Sequence, residues 1–301
     1  MTERYSLVDF FKEYPDEESA VKFFESLRWA DGVKCPYCGS DNIADCKVPM
    51  PHRCRDCRKH FSVRVGTILN ESKLTLQKWL LAIYILVNSK KGVSSIQLAE
   101  MLDCTQKTAW FLAHRIRETW LADSSKFAGI VEVDETYIGG LEKNKHADKK
   151  LKAGRGAVGK APVVGIKSRK GQVRAFAVEA TDTKTLTGAI RENVAEGSEV
   201  YTDQWEGYKG LDEYGHKRVK HNVGEYVCEM VHTNGIESFW AILKRGYYGI
   251  YHKWSTKHLQ RYVNEYQSRF NMREVPAMAR VIMSATGGLS SHLSYKELTN
   301  A

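Results

Sequence analysis

Apolar residues recur at helical spacing early in the chain (Leu7, Phe10, Phe11, then Ala20, Phe23, Phe24, Leu27), broken at Pro15, which predicts two short helices. A second helical block follows a polar, cysteine-bearing interval. Residues 74–87 form a strongly apolar helix, and Ser94 is a natural N-cap for a short helix over 95–102. A turn at 103–105 then leads into a longer helix over 106–119, with Ile96, Leu98, Ala99, Leu102, Trp110 and Ile116 as apolar contacts. This is the layout of a helix-turn-helix, whose second helix would present Gln106, Lys107, Thr108 and His114 to a DNA groove or its phosphates. Small helical pairs also serve as plain packing units, so the pattern alone leaves both uses open.

Beyond residue 122 the period changes. Ile130, Val131 and Val133 lead into Asp134 within GIVEVDETYIGG, an apolar strand ending in a double glycine. Residues 162–168 and 172–179 read as a hairpin, 185–194 as a helix, and 198–202 as a short strand ending at Asp203. This succession predicts a mixed sheet with helices packed on it, both aspartates emerging where their strands leave the sheet. Residues 142–160 hold seven Lys or Arg and almost no bulky apolar side chains, so they read as a mobile basic loop. Lys149, Lys150, Lys152 and Arg155 are its phosphate-facing candidates; solubility alone is the other use for such a loop. Residues 256–270 form an amphipathic helix, and 286–301 read as a loose tail.

Composition narrows the partner. The chain has 301 residues, is 43% hydrophobic, and carries a formal net charge of +9, which favours a polyanion, nucleic acid first. The first twenty residues are acidic and polar, and no run approaches the roughly 18 apolar residues of a membrane span. A cytoplasmic, DNA-associated protein with no membrane partner is expected. Four of the seven cysteines sit in two doublets, Cys35-Pro-Tyr-Cys38 and Cys54-Arg-Asp-Cys57, fifteen residues apart. Each doublet makes a tight knuckle, with Gly39 where the first needs a positive φ, and four sulfurs satisfy tetrahedral Zn2+ with no open position. The ion is therefore expected to be structural. Arg53, Arg55, Arg58, Lys59 and His60 crowd the second knuckle as a DNA-contacting or merely solvated face, while Cys46, Cys104 and Cys228 read as ordinary small core residues.

Three acidic residues carry the candidate chemistry. In VHTNGIESFWAILKR, Glu237 and Lys244 are seven residues apart, two helical turns, and project the same way. Asp134 and Asp203 leave two strands of one sheet. Three carboxylates from separate elements suit two divalent cations, and hard oxygen ligands suit Mg2+, with Mn2+ able to substitute. Any one of these residues alone would be read as a surface residue or cap; their joint arrangement carries the reading.

The four-cysteine ribbon, VEVDETYIGG, VYTDQWEGY and HTNGIESFWAILKRGYYG together resemble the DDE transposases of bacterial insertion sequences, in the branch with an N-terminal zinc ribbon. The resemblance spans Cys35 to about Arg273 and implies an RNase H-like catalytic domain. It implies that Asp134, Asp203 and Glu237 hold two Mg2+ ions for DNA hydrolysis at the element's terminal repeats and strand transfer into target DNA. Lys244 would contact DNA near the cut, and two or more protomers would hold the two ends. By charge Glu237 is preferred as third ligand to Asn234, one turn before it; Asn234 and His232 then support the site, touch DNA or cap the helix. Arg245 opens a stretch interleaving basic and aromatic residues, suited to DNA contacts and equally to a packed core with a solvated rim. The expected organisation is multidomain α+β: helices over 1–30, ribbon 31–66, helix-turn-helix 70–122, RNase H-like mixed sheet with flanking helices 126–285, and tail 286–301. Two other functions fit parts of the pattern: a DNA-binding transcriptional regulator with a non-catalytic scaffold domain, and a structure-selective metal-dependent nuclease.

Overall fold

A computed structural model describes residues 5–46, 50–120, 125–140, 142–144, 146–151, 157–169, 171–203, 205–218 and 232–300. The chain divides into two units: residues 1–120 with 274–301, and residues 121–273.

The first unit opens with α1 (Leu7–Glu13) and α2 (Glu17–Arg28), each started by a reciprocal cap, Ser6 with Asp9 and Asp16 with Ser19. The ribbon follows as an antiparallel sheet of β1 (Ile43–Asp45), β2 (His52–Cys54) and β3 (His60–Phe61). It is tied to α2 by the Arg28 guanidinium, which donates to the carbonyl oxygens of Val63 at 2.6 Å and Val65 at 2.8 Å. Then come α3 (Leu76–Asn88), α4 (Ser95–Leu102) and α5 (Gln106–Arg117), capped by the hydroxyls of Thr75, Ser94 and Thr105. Between α4 and α5 Asp103 turns the chain with φ 47°. Phe10, Phe24, Trp79, Leu80, Ile83, Leu98, Leu112 and Ile116 form one buried core.

This packing revises two expectations for the helical pair. Ile96, expected in the core, is 63% exposed, and His114, expected at a groove, is 0% exposed, with the Trp110 ring 4.5 Å away. Arg115 and Arg117 are buried too. Beyond its first turn α5 is enclosed by core helices, and only Gln106 and Lys107 stand fully in solvent at its start, with Thr108 half-buried.

The second unit is a five-stranded sheet in the order β6-β5-β4-β7-β8. Its strands are β4 (Ile130–Ile138), β5 (Ala161–Ser168), β6 (Val173–Ala177), β7 (Glu199–Thr202) and β8 (Gly215–Arg218). β4, β5 and β6 are an antiparallel meander, while β7 pairs parallel to β4 and β8 parallel to β7. That order and those directions are the RNase H-like arrangement. One sheet face, with Val131, Val133, Val164, Ile166 and Val200, packs on α6 (Thr183–Asn193) through Leu186 and Ile190. The other face, with Ile138, Val163, Val173 and Ala175, packs on α7 (Asn234–Gly246) and α8 (Leu259–Asn271). A turn of π-helix, Tyr247–Tyr251, follows α7.

An edge strand presents unpaired N–H groups that invite association. Here α8 covers them with side-chain amides: Asn271, Gln267 and Gln260 accept from the N–H of Val173, Ala175 and Ala177 at 2.8, 2.9 and 2.7 Å. Within residues 142–160, expected to be a loop, Glu142–Asn144 and Ala147–Lys149 form short 3-10 turns.

After α8 the chain rejoins the first unit. α9 (Ala277–Leu289) buries Val281 and Ala285 in that unit's core, and α10 (Tyr295–Asn300) buries Leu298. The boundary therefore falls after residue 273, not 285, and 286–301 is not a loose tail. Local periodicity shows that α9 is a helix but not which core its apolar face meets. Among the described residues no helix is long and apolar enough to cross a membrane.

Candidate functional site

Parallel pairing brings the two aspartates together. Ile130, Val131 and Glu132 of β4 pair with Glu199, Val200 and Tyr201 of β7, and the same register carried two residues on sets Asp203 beside Asp134. Asp134 does not sit where its strand leaves the sheet; it is the fifth residue of nine in β4, which continues against β5 alone. Asp203 does follow the end of β7, where its Oδ1 accepts the N–H of Trp205 at 2.9 Å.

Asp134 is held from the helix side. Trp240 of α7 donates its indole N–H to Asp134 Oδ2 at 2.9 Å. The ring can lie there because the β5 residue opposite Asp134 is Gly165, where an added Cβ would stand 2.6 Å from the indole and 2.8 Å from Ile236. Gly165→Val is accordingly expected to expel the indole. Overpacking of this kind costs about 1–3 kcal/mol, read as a drop in thermal midpoint, with loss of whatever activity depends on an oriented Asp134.

Electrostatics mark the same spot. Burial, then the neighbouring Glu135 charge and that of Asp203, push the Asp134 carboxyl from 3.8 up to about 7, against the Trp240 hydrogen bond, which lowers it. Glu135, on the opposite sheet face, is raised by burial and by Asp203, and accepts the Tyr208 hydroxyl at 2.6 Å. Asp134 and Asp203, whose charges oppose one another, favour either a proton or a cation, and carboxylate oxygens are the donors a hard divalent ion takes.

Glu237 lies exposed in the first turn of α7 and accepts the Thr233 hydroxyl at 3.3 Å. Glu237 and Lys244 share one unbroken helix, so their seven-residue spacing keeps them on one face; Lys244 is half-buried. Asp134, Asp203 and Glu237 do not bring their ligand oxygens within 4.8 Å of one another; among the described residues only the four cysteines converge that closely. Asn234 is exposed at the start of α7. His232 accepts from Arg169 at 2.7 Å. Arg245 is exposed and donates through Nε to the Ala241 carbonyl at 3.0 Å.

The cysteine site is complete. Cys35 and Cys57 sulfurs lie 3.6 Å apart, as do those of Cys38 and Cys54. A tetrahedron with Zn–S bonds near 2.3 Å has edges of about 3.8 Å, so the four thiolates fit a closed zinc site. The residue after each doublet, Gly39 at φ 76° and Arg58 at φ 63°, takes the left-handed turn that closes its knuckle. Arg53, Arg55, Arg58, Lys59 and His60 are all exposed around it.

The other DNA-contact candidates have separate places. In α5, Gln106 donates to the Ser95 hydroxyl at 2.8 Å, Lys107 lies over the Tyr295 ring at 4.9 Å, and the Thr108 and Thr105 hydroxyls are 2.8 Å apart. Lys150 is exposed. The Lys149 side chain and Lys152, Arg155 and Cys228 fall outside the described residues. Trp240, Glu135 and Glu132 were not singled out by sequence reasoning. The signal for them was there: in VEVDE, Glu132 and Asp134 share one strand face, and Trp240 is one turn beyond Glu237.

An RNase H-like sheet with one carboxylate within β4 and another just past the end of the adjacent parallel β7, joined to a zinc ribbon and a helical pair, defines a class, and sequence comparison gives the family. The ISXO2-like transposase domain matches residues 126–271, nearly all of the second unit, and the transposase zinc-ribbon domain matches residues 15–60. The chain belongs to the DDE transposases of insertion sequences that carry an N-terminal zinc ribbon. It is similar to an uncharacterized transposase-like protein of Haemophilus influenzae, 31% identical over 124 residues, covering 40% of this chain and 97% of that protein. It is also similar to an uncharacterized protein in transposable element ISH50 of Halobacterium salinarum, 28% identical over 249 residues, covering 78% of this chain and 84% of that protein.

Proposed function

We propose that this transposase binds the ends of its insertion sequence, cuts DNA there, and joins the freed 3′ ends to target DNA in one site built on Asp134, Asp203 and Glu237. The observation that carries the reading is the register match of Asp134 and Asp203 on adjacent parallel strands, under a helix bearing Glu237 and Lys244 on one face.

These three carboxylates would hold two Mg2+ ions, which when bound activate the attacking oxygen and stabilise the leaving one. The protein's part is orientation and charge. Trp240 fixes one oxygen of Asp134, and the other would be the one to hold metal. Lys244 meets a phosphate beside the scissile bond, and Asn234 and His232 support the helix end. Water attacks in the cutting step and the freed 3′-hydroxyl in the joining step, so no side chain forms a covalent bond with DNA. Holding both element ends calls for at least two protomers.

The ribbon's basic face, Gln106, Lys107 and Thr108 at the start of α5, and the basic segment with Lys149, Lys150, Lys152 and Arg155 supply DNA contacts outside the chemistry. Arg245 joins Lys244 beside the cut. An end-labelled duplex carrying the element terminus tests the reading. Mg2+- or Mn2+-dependent cleavage at the terminus, absent with chelator and in Asp203→Asn, is the expected result. Metal-independent cutting, or cutting that survives Asp203→Asn, would remove Asp203 from the mechanism.

A further inference from the structure

Two carboxylates on one strand face grip the helix that bears Glu237, and one of them lies outside the proposed metal set. Glu132 precedes Asp134 by two residues on β4, so both side chains reach the face covered by α7. Glu132 is 1% exposed, and its Oε2 accepts the backbone N–H of Ile236 at 2.9 Å.

The helix end depends on this borrowed cap. Thr233, in the N-cap position, makes no capping bond; its hydroxyl donates instead to Glu237. The second oxygen of Glu132 faces Arg169 Nε at 3.5 Å and His232 Nδ1 at 3.8 Å. Because Arg169 donates to His232 Nε2 at 2.7 Å, the imidazole accepts there and carries its proton on Nδ1, toward Glu132. The fit is close: a Cβ on Gly235 would stand 2.6 Å from Glu132 Oε2 and 2.9 Å from Lys167 Nζ.

The spacings match. Two residues along a strand advance about 6.7 Å, and four along a helix about 6 Å. Glu132 therefore takes Ile236 while Asp134 takes Trp240, with Glu237 between the two attachments.

We propose that Glu132 is a positioning residue: it sets the placement of α7 along β4, and so sets where Glu237 stands relative to Asp134 and Asp203. This rests on the transposition reading above. Its loss would leave the three ligands present but misplaced, and displacements near 1 Å in such sites cost on the order of a hundredfold.

Three variants of the full chain test it: Glu132→Gln, Glu132→Leu and Gly235→Ala. Mn2+ binding is measured without DNA from the electron paramagnetic resonance signal of the free ion, alongside DNA affinity, cleavage rate at saturating DNA, and thermal midpoint. Glu132→Gln keeps an acceptor for the Ile236 N–H and is expected to bind Mn2+ within about threefold of the parent. Glu132→Leu and Gly235→Ala are expected to weaken Mn2+ binding and slow cleavage by about 10- to 100-fold, with DNA affinity unchanged. Alanine is the better helix former than glycine, which offsets part of the cost of displacing the buried carboxylate, so Gly235→Ala should lose metal affinity well beyond what its small change in thermal midpoint accounts for, a separation that a merely structural role does not give. Gly235→Ala decides the matter if Glu132→Leu does not fold. Parent-like Mn2+ binding and cleavage in Gly235→Ala, or losses that only track thermal midpoint, would overturn the proposal. A parent protein that neither binds Mn2+ nor cuts DNA would instead overturn the transposition reading itself.

Discussion

Asp134→Asn is expected to abolish DNA cleavage, by about three orders of magnitude or more as for groups that act within one catalytic unit, while DNA affinity stays within a few-fold. The same change should make the metal-free protein more stable. Folding raises the Asp134 pKa from 3.8 to about 7, chiefly through burial. A carboxyl raised in this way contributes stability that is fully present below its unfolded pKa and is lost as pH climbs through the folded value. At pH 8 the parent therefore carries an ionised, buried carboxylate beside Glu135 and Asp203, a cost of at most roughly 4 kcal/mol by the pKa difference, and Asn removes that charge. Near pH 4 the difference should vanish. Divalent cations should reverse the order, because an ion that binds only the folded parent stabilises it by mass action. Melting curves for parent and Asp134→Asn at pH 4 and pH 8, with and without Mn2+, check all three statements about stability. A variant less stable than the parent at pH 8 without metal would contradict the electrostatic account of the site.

Removing zinc is expected to unfold the ribbon while leaving the RNase H-like unit intact. Among the described residues, the ribbon's own buried cluster is Cys35, Cys54 and Phe61, with Trp29, Val33, Ile43, Cys57 and Val65 around it. Two of the three are thiolate donors, so the metal forms much of the core. Structural zinc supplies on the order of 10–16 kcal/mol in small domains, far more than so few apolar groups can replace. Cys54→Ser, or exposure to a strong chelator, should release one zinc per chain by elemental analysis. Residues 31–66 should then become the first segment cut in limited proteolysis. Binding specific to the element ends should fall by about tenfold or more if, as proposed, the exposed Arg55 and Arg58 of the folded second knuckle contact phosphates. Unchanged proteolysis after verified zinc loss would show that the ribbon's fold does not depend on the ion.

Much of this architecture was legible because it is local. The two cysteine doublets fix four ligands by spacing alone, and the capping hydroxyl at Ser94 marks its helix start to the residue. The strand leading to Asp203 ends where its apolar run stops. What was illegible depends on partners distant in sequence. His114 and Arg117 look solvent-facing near the end of α5, but they are enclosed in a core that also holds Val281 and Ala285 of α9, more than 160 residues on. An acidic residue in an apolar strand reads as a solvent position, which hid Glu132; its burial makes sense only once the N–H of Ile236 arrives from α7. A glycine within a strand carries no sign of what lies over it, and the Trp240 ring that fills the space at Gly165 comes from α7, 75 residues on. The carboxylate pair was readable as two acids near strand ends, while their adjacency came from the parallel register of β4 and β7.

The most direct test of the central claim is strand transfer in a defined system. Purified protein, a labelled duplex bearing the element ends, a supercoiled target and Mg2+ or Mn2+ are incubated, with chelator and Asp134→Asn as controls. The expected result is labelled 3′ ends covalently joined to target, dependent on metal and absent in the variant. Ends that are bound but neither cut nor joined, or cut without any joined product under the same conditions, would contradict it.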